Sequence, residues 1–479
     1  MNPPGLFETS GRRLRLLVAI ASYGEKNLRL LKEVIQLYRN MAFDVDIVVV
    51  SEALKSLESG VRVVVGLPSK NPWSLPFAHK AIFGEEADRY DLFVYSEDDI
   101  CVTEANINAF LKATPQLKTD EIAGFLRYEV DQCGRRFLDE PWGHYHWKPQ
   151  SVAQRGTYTV AEFTNEHSGF YILTQSQLKC AVASGGFLRG PCSGRYGLPE
   201  TAATDPYTNC GFRKVICISA LEDFLIHHAS NRYVDGLPVS FEAFKLQTER
   251  LLAIRDGLHP ASTLGVFEST FLTGWWSKSY YEKPSEELLA SIPDGARNIL
   301  SIGCGWGATE MILRERGAEI SVLPLDSVIG GVAEKPGIEV IHGTWEEGVS
   351  RLNGRKFDCV LMTNLIHLFP NPEQVLGKCA QFIREGGSLV LSGPNFNRVH
   401  WRIKRTCGIG EFRKLRDFGS SGISVCGPAT LARPLREAGL RTAEVKWVDH
   451  LIHRRIPAGE GLRLGSLTGR DWILLAERA

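Results

Sequence analysis

The stretch Ile299-Leu300-Ser301-Ile302-Gly303-Cys304-Gly305-Trp306-Gly307 decides how the C-terminal half of this chain is read. An apolar run there enters a bend rich in glycine. Residues without a Cβ let a ligand approach the main chain at such a bend. A helix is expected from Ala308-Thr309-Glu310 to Gly317. The next strand, 319–325, ends at Asp326, whose carboxylate can accept hydrogen bonds from two ribose hydroxyls. Gly343-Thr344-Trp345 follows, and then a fourth strand over 356–362 that leads into Thr363-Asn364-Leu365-Ile366-His367. A helix over 372–383, the turn Arg384-Glu385-Gly386-Gly387 and a strand over 388–392 complete the order.

Upstream lies a second α/β block. Its first strand, 14–21, runs into Ser22-Tyr23-Gly24. The following helix, 27–41, sets Leu28, Leu31, Val34, Ile35 and Tyr38 on one face. Strands at 45–50, 61–66 and 92–95 follow, and the last ends in Ser96-Glu97-Asp98-Asp99. Near-continuous apolar strands alternating with helices predict parallel sheets covered on both faces. The fold class is therefore α/β, with two Rossmann-like domains. The expected division is a tail over 1–11, a first domain over 12–240, a helical and aromatic connector over 241–279, and a second domain over 280–479. The boundary falls near 270, and Trp275-Trp276 with Tyr280-Tyr281 predict a connector that packs rather than floats.

The totals narrow the function. Lys+Arg and Asp+Glu each number 55, so the zero net charge argues against a nucleic-acid partner. Eleven cysteines without a CxxC pair give no zinc signal and suggest reduced thiols in the cytoplasm. No apolar run approaches the roughly 18 residues of a spanning helix. Arg12, Arg13 and Arg15 before Leu16–Ile20 imitate a signal peptide, but the apolar run is short and reads as a strand.

In the order of its elements the C-terminal block resembles the class I S-adenosylmethionine-dependent methyltransferases, with GxGxG spacing rather than the GxGxxG of dinucleotide domains. The resemblance implies a seven-stranded sheet. It also implies S-adenosylmethionine held by Gly303, Cys304, Gly305 and Gly307, with Asp326 on the ribose, Thr344 and Trp345 flanking the adenine, and Asn364 near the methionine end. His367 is a candidate for taking the acceptor's proton, or is a structural histidine at a loop start. Ser301 departs from the family, which has an acid there, so weaker binding or a decayed site is open.

Three acids at the end of a buried strand suit a hard divalent cation held to phosphates. Ser96-Glu97-Asp98-Asp99 resembles the acid motif of GT-A-fold glycosyltransferases. That resemblance implies a nucleotide-sugar donor contacted by Ala21, Ser22, Tyr23, Glu52, Glu97 and Asp98. Mn²⁺ or Mg²⁺ would be held by Glu97, Asp98, Asp99 and a later histidine, His228. Glu222 and Asp223 are the candidates for a general base, and His79 or Lys80 for a phosphate contact. Alternatively, the three acids form a solvated loop that caps the next helix. Trp142-Gly143-His144-Tyr145-His146-Trp147 is either a sugar-stacking surface or a packed aromatic cluster.

Together these readings predict a bifunctional enzyme of glycan assembly. Metal-dependent sugar transfer would be followed by O-methylation of a sugar hydroxyl, on a glycan or glycolipid acceptor at the cytoplasmic face of a membrane. Two alternatives stand beside it: a methyltransferase with a non-catalytic glycan-binding N-terminal module, or a glycosyltransferase carrying a decayed methyltransferase scaffold.

Overall fold

A computed structural model describes residues 12–333, 337–448 and 467–478. The expected tail over 1–11 lies outside the described residues. The chain divides into two compact units, Met1–Leu258 and His259–Ala479.

The first unit is built on a five-stranded sheet in the order Phe170–Thr174, Leu92–Glu97, Arg15–Ala21, Asp44–Ser51, Val61–Val65. Phe170–Thr174 is antiparallel to its neighbour, and the other pairings are parallel. Leu16–Ile20 is fully buried, as a strand covered on both faces requires. The helix Leu28–Arg39 turns Leu31, Val34, Ile35 and Tyr38 into this core. Burial of each such aliphatic side chain contributes roughly 1.5–3 kcal/mol. Register pairs Ala21 with Glu97 across adjacent parallel strands. Ser22-Tyr23 and Asp98-Asp99 therefore leave the sheet at the same edge, beyond the carboxyl ends where open α/β sheets bind ligands.

A four-stranded sheet beside this edge runs in the order Ile100–Cys101, Leu225–His228, Leu126–Val130, Arg136–Leu138. It pairs His228 with Ile100 and His227 with Tyr128. The helix Phe241–Arg255 belongs to the first unit. Trp147 stacks on its Phe244 and donates a hydrogen bond to its Gln247 at 3.1 Å. The expected connector is thus shared between the two units: its helix goes to the first, and 259–279 to the second.

The second unit contains the expected seven-stranded sheet, in the order Ile338–Val340, Glu319–Pro324, Asn298–Cys304, Phe357–Met362, Ile383–Pro394, Asp471–Arg478, Leu440–Val448. Asp471–Arg478 runs antiparallel to both of its neighbours, and the pairings before it are parallel. Gly303 and Gly307 take φ of 77° and 82°, a region that favours glycine, and the helix Ala308–Glu315 starts directly after them.

Candidate functional site

In the first unit the sheet edge opens into a cavity of about 1010 Å³, lined by Ala21, Tyr23, Asn27, Asp98, Asp99 and His228 among others. The Asn27 amide donates to Asp98 at 2.7 Å and to Asp99 at 3.2 Å, tying the start of the first helix to the acid motif. Burial, joined by the negative charges of Asp99 and Glu97 and opposed by hydrogen bonds from Ser22 and Asn27, pushes Asp98 up to about 6. Asp99 is shifted the other way: burial raises it, but His228 beside it brings it below the usual carboxylate range.

His228 Nε2 lies 3.3 Å from Asp99, while Nδ1 lies 2.7 Å from Glu129 and 3.5 Å from Asp139. Burial alone would hold this imidazole neutral; the three carboxylates raise it to about 11. One ligand atom each from Glu129, Asp139 and His228 lies within 4.8 Å of the others, and all three residues are buried. None of Glu129 Oε1, Asp139 Oδ2 and His228 Nδ1 has an aligned hydrogen bond. Two buried carboxylates and an imidazole nitrogen that converge at this range fit a divalent cation. Arg127, 2.6 Å from Asp139, supplies part of the balancing charge.

The sequence did not single out Glu129 or Asp139. The alternation in Leu126–Val130 carries a signal, since Arg127 and Glu129 share the buried face of a short strand. Glu97 faces His167 at 3.8 Å and also lines the cavity, but it lies outside the convergent trio.

Several expected residues are elsewhere. Glu222 is exposed and forms a two-pronged pair with Arg136 at 2.7 and 2.8 Å, and Asp223 is exposed beside it. Neither lines the cavity, because the turn Ile218–Phe224 buries its apolar residues and turns its acids outward. Glu52 accepts from the Gly24 amide at 2.9 Å, so it holds the loop after the first strand. His79 is buried between the Pro76 carbonyl and the Tyr171 hydroxyl, and Lys80 is buried against Asp205, so neither reaches a phosphate. Of the aromatic stretch, Trp142 and Tyr145 line the cavity, whereas Trp147 is core.

In the second unit, Ser301 Oγ donates to Glu310 at 2.6 Å, and both residues are buried. Burial and then the charge of Glu310 push the Cys304 thiol well up, which puts that carboxylate beside the glycine bend. The helix thus brings the acid that position 301 lacks.

Several of the remaining groups expected to hold cofactor are in contact with other parts of the chain. A Cβ on Gly305 would lie 2.1 Å from the Tyr280 carbonyl oxygen, which accepts from the Trp306 amide at 3.0 Å. Asp326 is 1% exposed, accepts from the Val328 and Ile329 amides at 2.7 and 2.6 Å, and bridges to Thr263. The Trp345 amide donates to Leu264 O at 3.0 Å, and the Asn364 amide to Glu282 at 3.0 Å. Thr344 is the N-cap of the helix Trp345–Arg351, accepting from Glu347 N, and so is a structural residue. His367 is 1% exposed, donates from Nε2 to Trp276 O at 2.8 Å, and is lowered by burial to about 4. An imidazole so enclosed has no path to an acceptor's proton, and the catalytic reading of His367 is corrected to a structural one.

A family model described as methionine biosynthesis protein MetW matches residues 283–411. The ubiquinone biosynthesis O-methyltransferase of Azoarcus sp. is 30% identical over 190 residues, covering 37% of this chain and 81% of that protein. The chain belongs to the S-adenosylmethionine-dependent methyltransferase family through its C-terminal unit. The ubiquinone biosynthesis O-methyltransferase of Aromatoleum aromaticum is 26% identical over 220 residues, 43% of this chain and 91% of that protein. Among solved structures, a SAM-dependent methyltransferase from Archaeoglobus fulgidus aligns at 18% identity and a TM-score of 0.29, over 39% of this chain and 87% of its own. No helix among the described residues is long and apolar enough to cross a membrane.

Proposed function

We propose that the chain is a two-activity enzyme of glycan assembly, in which the N-terminal unit transfers a sugar from a nucleotide diphosphate and the methyltransferase unit methylates a hydroxyl of the acceptor. The observation that carries the first half is the acid-walled cavity beyond the sheet edge. Glu129, Asp139 and His228 through Nδ1 would hold a Mn²⁺ or Mg²⁺ ion, which would neutralise the leaving diphosphate, with Asp99 on the other ring nitrogen of His228. Tyr23 and Ala21 would face the nucleoside, and Trp142 with Tyr145 would stack on a sugar.

The second half rests on family membership. The names of the two relatives describe O-methyl transfer, and a sugar hydroxyl is the acceptor that fits a partner unit of this kind. Tethering the two activities raises the local concentration of the second site for the product of the first. One observation favours a second reading, in which the C-terminal unit only scaffolds a sugar transferase: the chain's own segment engages the groups expected to bind cofactor.

A thermal-shift screen of nucleotide sugars with and without Mn²⁺ tests the first half, since a ligand of the native state raises the melting temperature. The expected result is a rise that needs both the nucleotide sugar and Mn²⁺ and is lost in Asp139→Asn. No rise with any nucleotide sugar in either metal would end the sugar-transfer reading.

A further inference from the structure

The segment 262–282 touches one after another the groups that the methyltransferase reading assigns to its cofactor. Beside the ribose end, Ser262 O accepts from Ser327 N at 2.9 Å, and the main chain of Thr263 pairs with that of Asp326, whose carboxylate accepts from the Val328 and Ile329 amides. Between the ends of two strands, Leu264 donates its amide to Leu325 O at 2.9 Å and accepts from Trp345 N at 3.0 Å. At the glycine bend, the Tyr280 carbonyl lies against Gly305 and accepts from Trp306 N. At the end of the fourth strand, the Lys278 ammonium donates to Thr363 O at 2.8 Å, and Glu282 accepts from Asn364 at 3.0 Å. Lys278 is 1% exposed, so its charge is buried in the crevice.

The chemistry of these groups matches that of the cofactor. S-adenosylmethionine presents an ammonium, a carboxylate, ribose hydroxyls and an adenine edge with donors and acceptors. The segment presents an ammonium in Lys278, a carboxylate in Glu282 and an amide donor–acceptor pair in Leu264. Backbone N–H and C=O groups buried at a sheet edge must be paired, and here the chain pairs them itself. At the glycine bend a side chain at 305 would collide with the Tyr280 carbonyl oxygen, so the segment lies directly against the bend.

We infer that segment 262–282 is an internal occupant of the cofactor crevice and that S-adenosylmethionine binds only when the segment is displaced. This rests on the methyltransferase reading of the C-terminal unit. The apparent affinity for cofactor is then reduced by the fraction of molecules in which the segment is off. Whatever stabilises the displaced segment, acceptor included, raises cofactor affinity by linkage.

Hydrogen exchange of the full chain, with and without saturating S-adenosylhomocysteine, tests the inference. The expected result is faster exchange at the Leu264, Thr270 and Lys278 amides in the complex, with Trp306 and Trp345 still protected. Slower or unchanged exchange across 262–282 would make the segment a lid or a bystander and overturn the proposal. Calorimetry on Lys278→Ala gives a second readout. Removal of one contact of the occupant is expected to tighten S-adenosylhomocysteine binding about tenfold. Weaker binding would make Lys278 a cofactor contact and overturn the proposal, leaving the methyltransferase reading intact. No binding to either protein at millimolar ligand would remove the cofactor reading itself, and the competition with it.

Discussion

The two units present the same kind of sheet edge in opposite states. Beyond the strands of the first unit lies a cavity of about 1010 Å³, walled by carboxylates that reach one another and His228. Beyond the strands of the second, the chain's own backbone meets the glycine bend, Asp326 and Trp345. The difference lies in which groups are left to a ligand. Converging buried carboxylates repel one another and call for positive charge, which Arg127 and His228 supply here and which a bound cation would supply under the proposed function. Amides and carbonyls at a sheet edge can be satisfied by any passing main chain, so a crevice built from them can be closed from within.

The comparison can be broken hardest at His228. His228→Ala removes the one side chain that faces Asp99, Glu129 and Asp139 together. Mn²⁺ affinity by calorimetry should fall at least about 100-fold, more than loss of an outer partner costs; unchanged affinity would leave the first unit with no built site. Ser301→Asp probes the closed crevice. It brings a second carboxylate beside Glu310 in a buried place, and urea unfolding should show a loss of about 2 kcal/mol. A gain in stability would mean that position 301 lacks an acid that Glu310 does not supply.

Glu129→Gln sharpens the first unit's side. It keeps the shape but removes a charge facing His228 Nδ1, and Mn²⁺ affinity should drop about tenfold. The smallest effect is expected from Glu222→Ala. This residue pairs with Arg136 at the surface, so the change should cost under about 1 kcal/mol and leave Mn²⁺ binding as it was. A loss of metal binding there would return Glu222 to the site.

The sheets were legible in the sequence for one reason: strands buried on both faces are written as continuous apolar runs, as in Leu16–Ile20 and Ile299–Ile302. The amphipathic helix Leu28–Arg39 was legible through its period. Asp98 and Asp99 were singled out by their place at a strand end and His228 by the resemblance to GT-A-fold glycosyltransferases, and all three line one cavity. Glu129 and Asp139 were missed because a register between separate strands brings them to His228, and no local pattern encodes that register. Glu222 misled because acids preceding a histidine look alike whether they face a cavity or Arg136. The aromatics of the segment at the second crevice signalled that it packs, but not where. Its contacts are made largely by main-chain atoms of Ser262, Leu264 and Tyr280, which any sequence could supply.

The most direct measurement is stopped-flow binding of S-adenosylhomocysteine to the full chain over a wide concentration range. If segment 262–282 must leave first, the observed rate levels off at the rate of its departure. A rate that climbs in proportion to ligand, without a ceiling, would mean the second crevice is as open as the first and would contradict the contrast drawn between them.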